Sequence, residues 1–200
     1  MQQKNEQRSN KSRTDATRSA LIDAARRLFS EKGYAETSTP EVVKAAGVTR
    51  GALYHHFDDK VDLFRAVVTA EFVKVADQIT ASASANPTSA MEALRQGSRG
   101  YLEAMQDKGR VRIMLLDGPA VLGHAELGRI DRDTSADALR MGLDAAMTSG
   151  ALPTLPLEAL TVQLSALFDR AALAIAEGED QDQHLSVLDA IFAGLAASDA

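Results

Sequence analysis

The chain lacks cysteine and tryptophan and is poor in other aromatic residues, and each absence excludes a class of structure. Without cysteine, the 200 residues cannot form disulfide bonds, zinc–cysteine sites or a thiol nucleophile. Six Phe and three Tyr among many Ala and Leu favour helices over a β-sandwich. No apolar stretch approaches the roughly 20 residues that span a bilayer, and the N-terminus lacks the apolar region of a signal peptide. We therefore expect an all-α, soluble, cytoplasmic protein that does not bind a membrane.

Sequence patterns that carry enzyme chemistry are absent as well. The chain has no glycine-rich phosphate loop, no HExxH and no GxSxG. His55 and His56 stand close to Asp58 and Asp59, but adjacent positions diverge around a helix and Phe57 is expected to bury its ring between them. A metal site is therefore the weaker interpretation of these residues. We predict no enzyme activity, no cofactor and no metal.

The net charge of −6 conceals an asymmetry along the chain. Residues 1–60 carry eleven Lys or Arg against eight Asp or Glu, a balance of +3, whereas residues 61–200 carry eleven against twenty, a balance of −9. A polyanion should therefore approach the N-terminal end. Residues 1–13 are basic and almost without apolar side chains, so we expect a disordered arm. This arm either follows DNA phosphates and the minor groove or only keeps the chain soluble.

Residues 39–60, TPEVVKAAGVTRGALYHHFDDK, predict two short helices joined by a glycine turn. Thr39 is a good N-cap, and Pro40 suits the first helical position. Gly47 can adopt the left-handed conformation that ends a helix, and Thr49 can cap a second helix that continues through the sequence LYHHF. This is the pattern of a helix-turn-helix, whose second helix fits a DNA major groove.

The same segment resembles the DNA-binding motif of the TetR family of bacterial transcriptional repressors. The preceding sequence ARRLFSEKGY is also similar to that family, and the matching motif residues are Ala46, Gly47, Val48, Leu53, Tyr54, Phe57 and Lys60. The resemblance implies an N-terminal three-helix DNA-binding domain over residues 14–58, after the arm of residues 1–13. It also implies a larger helical domain for ligand binding and dimerisation over residues 59–200.

The function implied by the resemblance is that of a ligand-responsive transcriptional regulator. We expect a repressor that binds its operator as a homodimer and is released by a mostly apolar small-molecule inducer. Since a two-fold pair of recognition helices reads both halves of an inverted repeat, the operator should be palindromic double-stranded DNA. The alternative is a helical protein-interaction adaptor that does not bind DNA, against which the basic arm and Arg50 argue.

Eleven residues are candidates for DNA contact. Arg50, near the start of the second helix, can pair bidentately with guanine. Small neighbours permit close approach to the groove, and the positive end of the preceding helix can accept a phosphate. By resemblance, Tyr54, His55 and Lys60 reach phosphates or base edges, the alternatives being a partly buried Tyr54 and a merely solvated Lys60. The full set is Thr37, Ser38, Thr39, Thr49, Arg50, Gly51, Ala52, Tyr54, His55, His56 and Lys60.

Hydrophobic periodicity predicts helices along most of the remaining chain. The first runs from about Thr14 to Lys32, a long helix runs from Asp58 or Asp59 to about Ala81, and a later one runs from His124 to Ser149. The sequence Asp117-Gly118-Pro119 is expected to interrupt the helices and to act as a hinge.

The resemblance also implies a ligand pocket in the larger domain. We expect its lining among inward-facing residues of the middle helices, with Met preferred because it is a flexible gap-filler. The candidates are Phe64, Val68, Met91, Tyr101, Met105, Met114, Leu115, Asp117, Val121, His124 and Phe168. The apolar members are equally consistent with an ordinary core.

The last two helices carry leucines at alternating spacings of three and four, a pattern that forms a packing seam. The seam residues are Leu157, Leu160, Leu164, Leu167 and Ala171, and then Leu185, Leu188, Phe192 and Leu195. These seams either close the core of the protomer or, as the resemblance implies, form a four-helix bundle with a second copy.

Overall fold

The computed structural model describes the backbone of residues 2–196 and the side chains of residues 13–196. Within that part of the chain every regular element is a helix, as predicted. In chain order they are α1 (Gln2–Lys32), α2 (Thr39–Ala46), α3 (Arg50–His56), α4 (Lys60–Ala83), α5 (Ala90–Ala104), α6 (Lys108–Val111), a π-helical segment (Arg112–Asp117), α7 (Gly118–Leu122), α8 (His124–Arg132), α9 (Ser135–Thr148), α10 (Leu157–Glu177) and α11 (Gln181–Ala196).

Helix α1 is longer than predicted, because it begins at Gln2 and not near Thr14. No glycine or proline precedes Gly33, and Gln, Lys, Glu and Arg are good helix formers, so nothing in the sequence ends the helix earlier. The expectation of a disordered arm is therefore wrong for residues 2–13, whose backbone is helical. Met1 lies outside the described residues, as do most side chains of the arm.

Helices α2 and α3 form the predicted helix-turn-helix, with a shift of the first cap. Ser38, and not Thr39, caps α2: its hydroxyl accepts a hydrogen bond from the Glu41 N–H at 3.4 Å, while the Glu41 carboxylate accepts one from the Ser38 N–H at 2.9 Å. The cap moves because Glu41 stands three residues after Ser38, which allows this reciprocal box. Gly47 ends α2 at φ 66°, and Thr49 caps α3, both as predicted.

An aromatic cluster fixes α1, against which the helix-turn-helix packs, to the start of α4. The Phe64 ring of α4 is fully buried, with its centroid 5.2 Å from that of Phe29 in α1 and 4.9 Å from that of Tyr34 in the following turn. Further along, α4 packs against α5, where Gly100 allows the backbone of α5 to approach Ser82. Because α4 contacts both α1 and α5, it connects the N-terminal helices to the larger domain.

The chain after α6 is continuously helical where we expected a break. Residues 108–122 run from α6 through the π-helical segment into α7, with Gly118 at φ −53°. Pro119 is accommodated because it lies in the first turn of α7, where its missing N–H is not needed. The break occurs at Gly123, whose φ of 79° favours glycine. The predicted interruption at residues 117–119 is therefore wrong.

Two helices, α8 and α9, replace the single helix predicted over residues 124–149. The Thr134 hydroxyl donates to the Ile130 carbonyl at 2.6 Å, which competes with the helical ladder at the end of α8. At the start of α9 the Ser135 hydroxyl donates to the Asp131 carboxylate at 2.6 Å. The bend thus brings an acidic side chain to the interior of the larger domain.

Helices α10 and α11 close that domain, and much of the predicted seam faces its interior. Five seam residues are buried within the protomer, namely Leu164, Ala171, Leu185, Leu188 and Phe192, whereas Leu157, Leu160 and Leu195 are partly buried. For the five buried residues the core interpretation is the right one. Apolar side chains that remain exposed on these helices are Val162, Leu167 and Val187.

By length and composition alone, α10 would suit a membrane span, with a mean hydropathy of 1.4 over its best 18-residue window. The sequence-based statement that no apolar stretch approaches this length was therefore wrong. A core helix of a soluble protein passes the same test, and Asp169 and Arg170 lie within α10, where ionisable side chains are costly in lipid. We interpret α10 as a core helix.

Candidate nucleic-acid interface and ligand cavity

The exposed face of α3 is the candidate surface for DNA. Leu53 is fully buried and Phe57 is 2% exposed, so these two side chains anchor the helix to the domain. Arg50, Gly51 and His55 are exposed on the other side. A helix that is held by one face and open on the other can enter a major groove without rearranging its own core.

Arg50 and Tyr54 stand one turn apart on this face. The Arg50 guanidinium lies 5.5 Å from the centroid of the Tyr54 ring, a cation–π distance. Hydrogen bonding with Thr39, and then with Arg50, lowers the pKa of Tyr54 below its ordinary value. Tyr54 is 45% exposed, so the core interpretation does not apply to it. The phenol positions Arg50 against the start of α2, which restricts the guanidinium before DNA arrives.

The small residues of α3 leave room beside Arg50. A Cβ atom added at Gly51 would meet nothing closer than the Thr49 hydroxyl at 3.9 Å, so the protomer does not require glycine there. Ala52 is only partly buried, and its N–H donates to the Thr49 hydroxyl at 3.2 Å. The space in front of this turn is therefore available to a base edge or a backbone.

The two histidines at the end of α3 sit close to a cation that the sequence-based set of DNA contacts omitted. The rings of His55 and His56 are 5.3 Å apart in an edge-to-face arrangement, and burial, the charge of His55 and the charge of Arg18 lower the pKa of His56. The exposed Arg18 of α1 places its guanidinium 5.1 Å from the Phe57 ring centroid. We add Arg18 to the basic surface.

The start of α2 differs from our expectation of an open phosphate site. Thr37 is 1% exposed, and its hydroxyl donates to the Gly33 carbonyl at 2.8 Å, so its assignment as a DNA contact is wrong. The Glu41 carboxylate already occupies the N-terminal end of α2. Hydrogen bonds from Lys32 and Ser38 lower the pKa of Glu41 to about 2. A phosphate here would meet a negative charge, so α3 is a better candidate for DNA contact than the start of α2.

Lys60 is engaged inside the domain. Its ammonium lies 4.1 Å from the Tyr34 ring centroid and 3.5 Å from the Ala35 carbonyl, and partial burial lowers its pKa. The merely solvated alternative is therefore wrong for Lys60. A phosphate would have to compete with these contacts, so Lys60 is a weaker DNA candidate than Arg50.

The larger domain contains a cavity lined by residues of α4, α5, α8, α9 and α10, with a volume of about 80 Å³. A wider cleft of about 440 Å³ adjoins it and shares several wall residues. The residues common to both are Phe72, Asp131, Ala136, Ser165 and Asp169. Ligand sites commonly occupy such spaces between helices, so this cavity and cleft are the candidate ligand site.

One end of the cavity is polar and acidic. The Tyr101 hydroxyl donates to the Asp169 carboxylate at 2.6 Å, and Ser135 donates to Asp131. Burial raises the pKa of Asp169 to about 6, and burial also raises that of Asp131. Burial, followed by the charge of Asp169, raises the pKa of Tyr101. Asp131 also accepts a hydrogen bond from the Ala136 N–H and lies near the charge of Arg132, which only partly offset its burial. Asp169 has the Tyr101 hydroxyl as its hydrogen-bond partner.

Four of the predicted ligand residues line these spaces: Tyr101 and Phe168 line the cavity, and Leu115 and His124 line the cleft. The others lie elsewhere because the protein interior uses them for packing or bonding. Phe64, Val68, Met105 and Met114 are buried in the core, and Met91 and Val121 pack against it. Asp117 accepts a hydrogen bond from the Tyr34 N–H at 2.8 Å, so it joins the two domains.

A second acidic centre, absent from our sequence-based predictions, connects α1, α4 and α6. Glu71 of α4 is fully buried and binds Arg110 at 2.9 Å, Lys74 at 2.8 Å and Arg26 at 3.4 Å. Arg26 also pairs with Asp107, which caps α6. Burial alone would raise the pKa of Glu71, but its cationic partners outweigh this and lower it.

Comparison with known proteins decides the family. A sequence profile described as "bacterial regulatory proteins, tetR family" matches residues 21–67, and one described as "tetracyclin repressor-like, C-terminal domain" matches residues 91–197. The protein belongs to the TetR family.

Several TetR-family relatives match at different lengths. The crystal structure of a TetR-family regulator from Pectobacterium atrosepticum is 33% identical, with a TM-score of 0.76 over 92% of this chain and 96% of that one. The repressor AcnR of Corynebacterium glutamicum is 27% identical over 88% of this chain and 90% of AcnR. The regulator AcrR of Shigella flexneri is 52% identical over 30% of this chain and 28% of AcrR. TetC of Escherichia coli transposon Tn10 is 33% identical over 65% of this chain and 64% of TetC. The chain thus spans less than two thirds of AcrR and of TetC.

Membership of the TetR family makes the protein a DNA-binding transcriptional regulator and not an enzyme, and it does not support the adaptor interpretation. Sequence reasoning still missed residues that the structure brings together at the ligand cavity. An acidic residue within the apolar α10 was the available signal for Asp169, and a carboxylate before a helix start was the signal for Asp131. No sequence signal identified Phe72 as a wall residue.

Proposed function

We propose that this TetR-family protein is a cytoplasmic repressor that binds a palindromic operator as a homodimer and leaves it when a small molecule binds the larger domain. The observation that carries the proposal is the exposed face of α3, where Arg50 stands beside the uncovered backbone of Gly51 while Leu53 and Phe57 hold the helix from behind. Arg50 would read a guanine, and Arg18 would add to the phosphate contacts.

The dimer of this proposal is formed by α10 and α11. Leu167 and Val187, which line a groove between these helices, are 44% and 59% exposed, which is unfavourable for apolar side chains in water. Burying them against the same residues of a second copy gives an isologous four-helix interface. Two recognition helices about 34 Å apart, or a multiple of that, would then face one side of the duplex.

Ligand binding would be transmitted through α4. Phe72 and Ile79 of α4 form part of the cavity wall, and the same helix begins at Lys60, shortly after α3. A ligand that displaces these side chains would move α4, the helix to which the aromatic cluster fixes the DNA-binding domain. Arg112, which donates to the Ser30 carbonyl at 3.3 Å, offers a parallel connection from the π-helical segment to α1.

Binding to DNA is tested by fluorescence anisotropy with a labelled duplex from the region upstream of the protein's own gene. We expect tight, salt-sensitive binding that a scrambled duplex does not match. Replacing Arg50→Ala should weaken specific binding by about 1–3 kcal/mol, because a bidentate contact to a base is lost. The control is Arg129→Ala, which removes an equal charge from an exposed site of the acidic domain and should leave affinity unchanged.

Equal affinity of the wild-type protein for both duplexes would contradict specific recognition of that region. If specific binding occurs but Arg50→Ala and Arg129→Ala behave alike, the assignment of Arg50 to base contact is wrong while the regulator itself stands. Size-exclusion chromatography with light scattering on each variant checks that the dimer is intact.

A further inference from the structure

The charge of the ligand cavity is unbalanced. Among the described residues that line the cavity, Asp131 and Asp169 are acidic and none is basic. Their hydrogen-bond donors include the hydroxyls of Ser135 and Tyr101, which carry no charge. A carboxylate in low-dielectric surroundings is costly unless a cation or several donors accompany it. The cavity therefore has a deficit of positive charge at one end.

Much of the remaining cavity lining is apolar. This part of the wall is formed by Phe72 and Ile79 of α4, Leu94 of α5, Leu139 of α9 and Phe168 of α10. An apolar wall stabilises a hydrocarbon or aromatic group that packs against it, but it offers no hydrogen bond or ion pair to a second charged group. A fitting molecule is thus amphipathic, with its polar group at the aspartates and its apolar part against these side chains.

The adjoining cleft keeps the same sign of charge. Its wall contains four carboxyl groups, those of Asp131, Asp137, Glu158 and Asp169, against the two guanidinium groups of Arg132 and Arg140 and the imidazole of His124. Arg140 is already paired with Asp137 at 2.9 Å. An approaching cation is therefore attracted along the cleft towards the aspartates, whereas an anion is repelled.

We propose that the inducer is an amphipathic organic cation, a protonated amine on an apolar body, whose ammonium group binds between Asp131 and Asp169. This inference rests on the proposed function, since it assigns the ligand of the same regulator. The ammonium supplies the cationic donor that the described cavity lining lacks, and its apolar part packs against Phe72 and Phe168. Contact with Phe72 then places the ligand against α4.

The test uses three probes with one octyl chain and different head groups: octylammonium, octanol and octanoate, each below its aggregation concentration. Isothermal titration of the full-length protein at pH 7.5 should rank affinity in that order, with octylammonium at least about tenfold tighter than octanol. Asp131→Asn and Asp169→Asn should each reduce this ratio, because the amide keeps the shape and removes the charge. The control variant is Asp133→Asn, whose side chain is 66% exposed at the end of α8.

The ranking of the three probes on the wild-type protein tests the inference even if a variant does not fold. Octanoate or octanol binding as tightly as octylammonium, no binding by any probe, or equal loss in Asp133→Asn and Asp169→Asn would each overturn it. Operator binding is measured on the same protein without probe, so a failed cation preference with intact specific DNA binding rejects only the ligand class. Loss of specific DNA binding instead rejects the regulator.

Discussion

Glu71 and Asp169 are both enclosed carboxylates of the protein interior, yet their electrostatic surroundings are opposite. Glu71 is fully buried among three cations, and their contacts lower its pKa despite burial. Asp169 has the phenol of Tyr101 as its partner, lies near a second carboxyl group, and has its pKa raised to about 6 by burial. The negative charge of Glu71 is balanced by cations of the same chain, whereas that of Asp169 is not.

The difference indicates what each site is for. The Glu71 centre joins α1, α4 and α6, so its ion pairs hold the DNA-binding domain in a fixed position relative to the larger domain. The Asp169 site lines a cavity and lacks a cationic partner among the described cavity-lining residues, so burial disfavours its ionised form. In the proposed mechanism, the paired charges of the Glu71 centre hold the two domains in position, and the unpaired Asp169 lies where the ligand would bind.

The largest expected effect comes from breaking the Glu71 centre. Glu71→Gln should destabilise the protein by about 3 kcal/mol, since it leaves Arg110 and Lys74 without their carboxylate and Arg26 with only Asp107. Urea unfolding at pH 7, followed by circular dichroism, measures the free energy of unfolding. The matched control is Asp189→Asn, which breaks an exposed pair with Arg95 and should cost less than about 0.5 kcal/mol. Similar losses in both variants would contradict the special role of Glu71.

A smaller and pH-dependent effect should follow from removing the unpaired charge. In the folded protein the pKa of Asp169 is raised from 3.8 to about 6, so its stabilising contribution is complete below 3.8 and is lost as the pH rises through about 6. Asp169→Asn does not ionise and avoids this loss. The free energy of unfolding of the variant minus that of the wild type should therefore rise by about 2 kcal/mol between pH 4.5 and pH 7.5.

Urea titrations of both proteins across that pH range give this difference directly, because the other ionisable groups are common to both and largely cancel. Tyr101 and Asp131 are the titratable groups with which Asp169 interacts, and both keep their positions in the amide variant. A constant difference across the range would mean that Asp169 is already balanced in the free protein.

The helix-turn-helix was predictable because the residues that determine its fold are close together in the sequence. Gly47 needs a left-handed backbone, Thr49 caps the helix that follows, and Leu53 and Phe57 share one face of α3, so each signal lies within a few residues of its effect. The error at the α2 cap also had a local cause, because the reciprocal pairing of Ser38 with Glu41 outweighs the intrinsic preference of Thr39.

The lining of the cavity in the larger domain was not predictable in the same way, because residues from distant segments of the chain form it. Phe64 and Phe72 are both buried aromatic residues of α4, yet Phe64 packs on α1 and Phe72 lines the cavity. Helical periodicity identifies a buried face but does not distinguish a face that meets another helix from one that meets a void. The acidic end depends on the bend between α8 and α9, which turns Asp131 inward.

The most direct test of the account is the coupling between ligand and operator. The affinity of octylammonium is measured by titration with and without saturating operator duplex, and operator affinity is measured by anisotropy with and without saturating octylammonium. Because coupling between two binding sites is reciprocal, each partner should weaken the other by the same factor. Probe affinity that is unchanged by operator, while both partners bind the wild-type protein, would contradict the account.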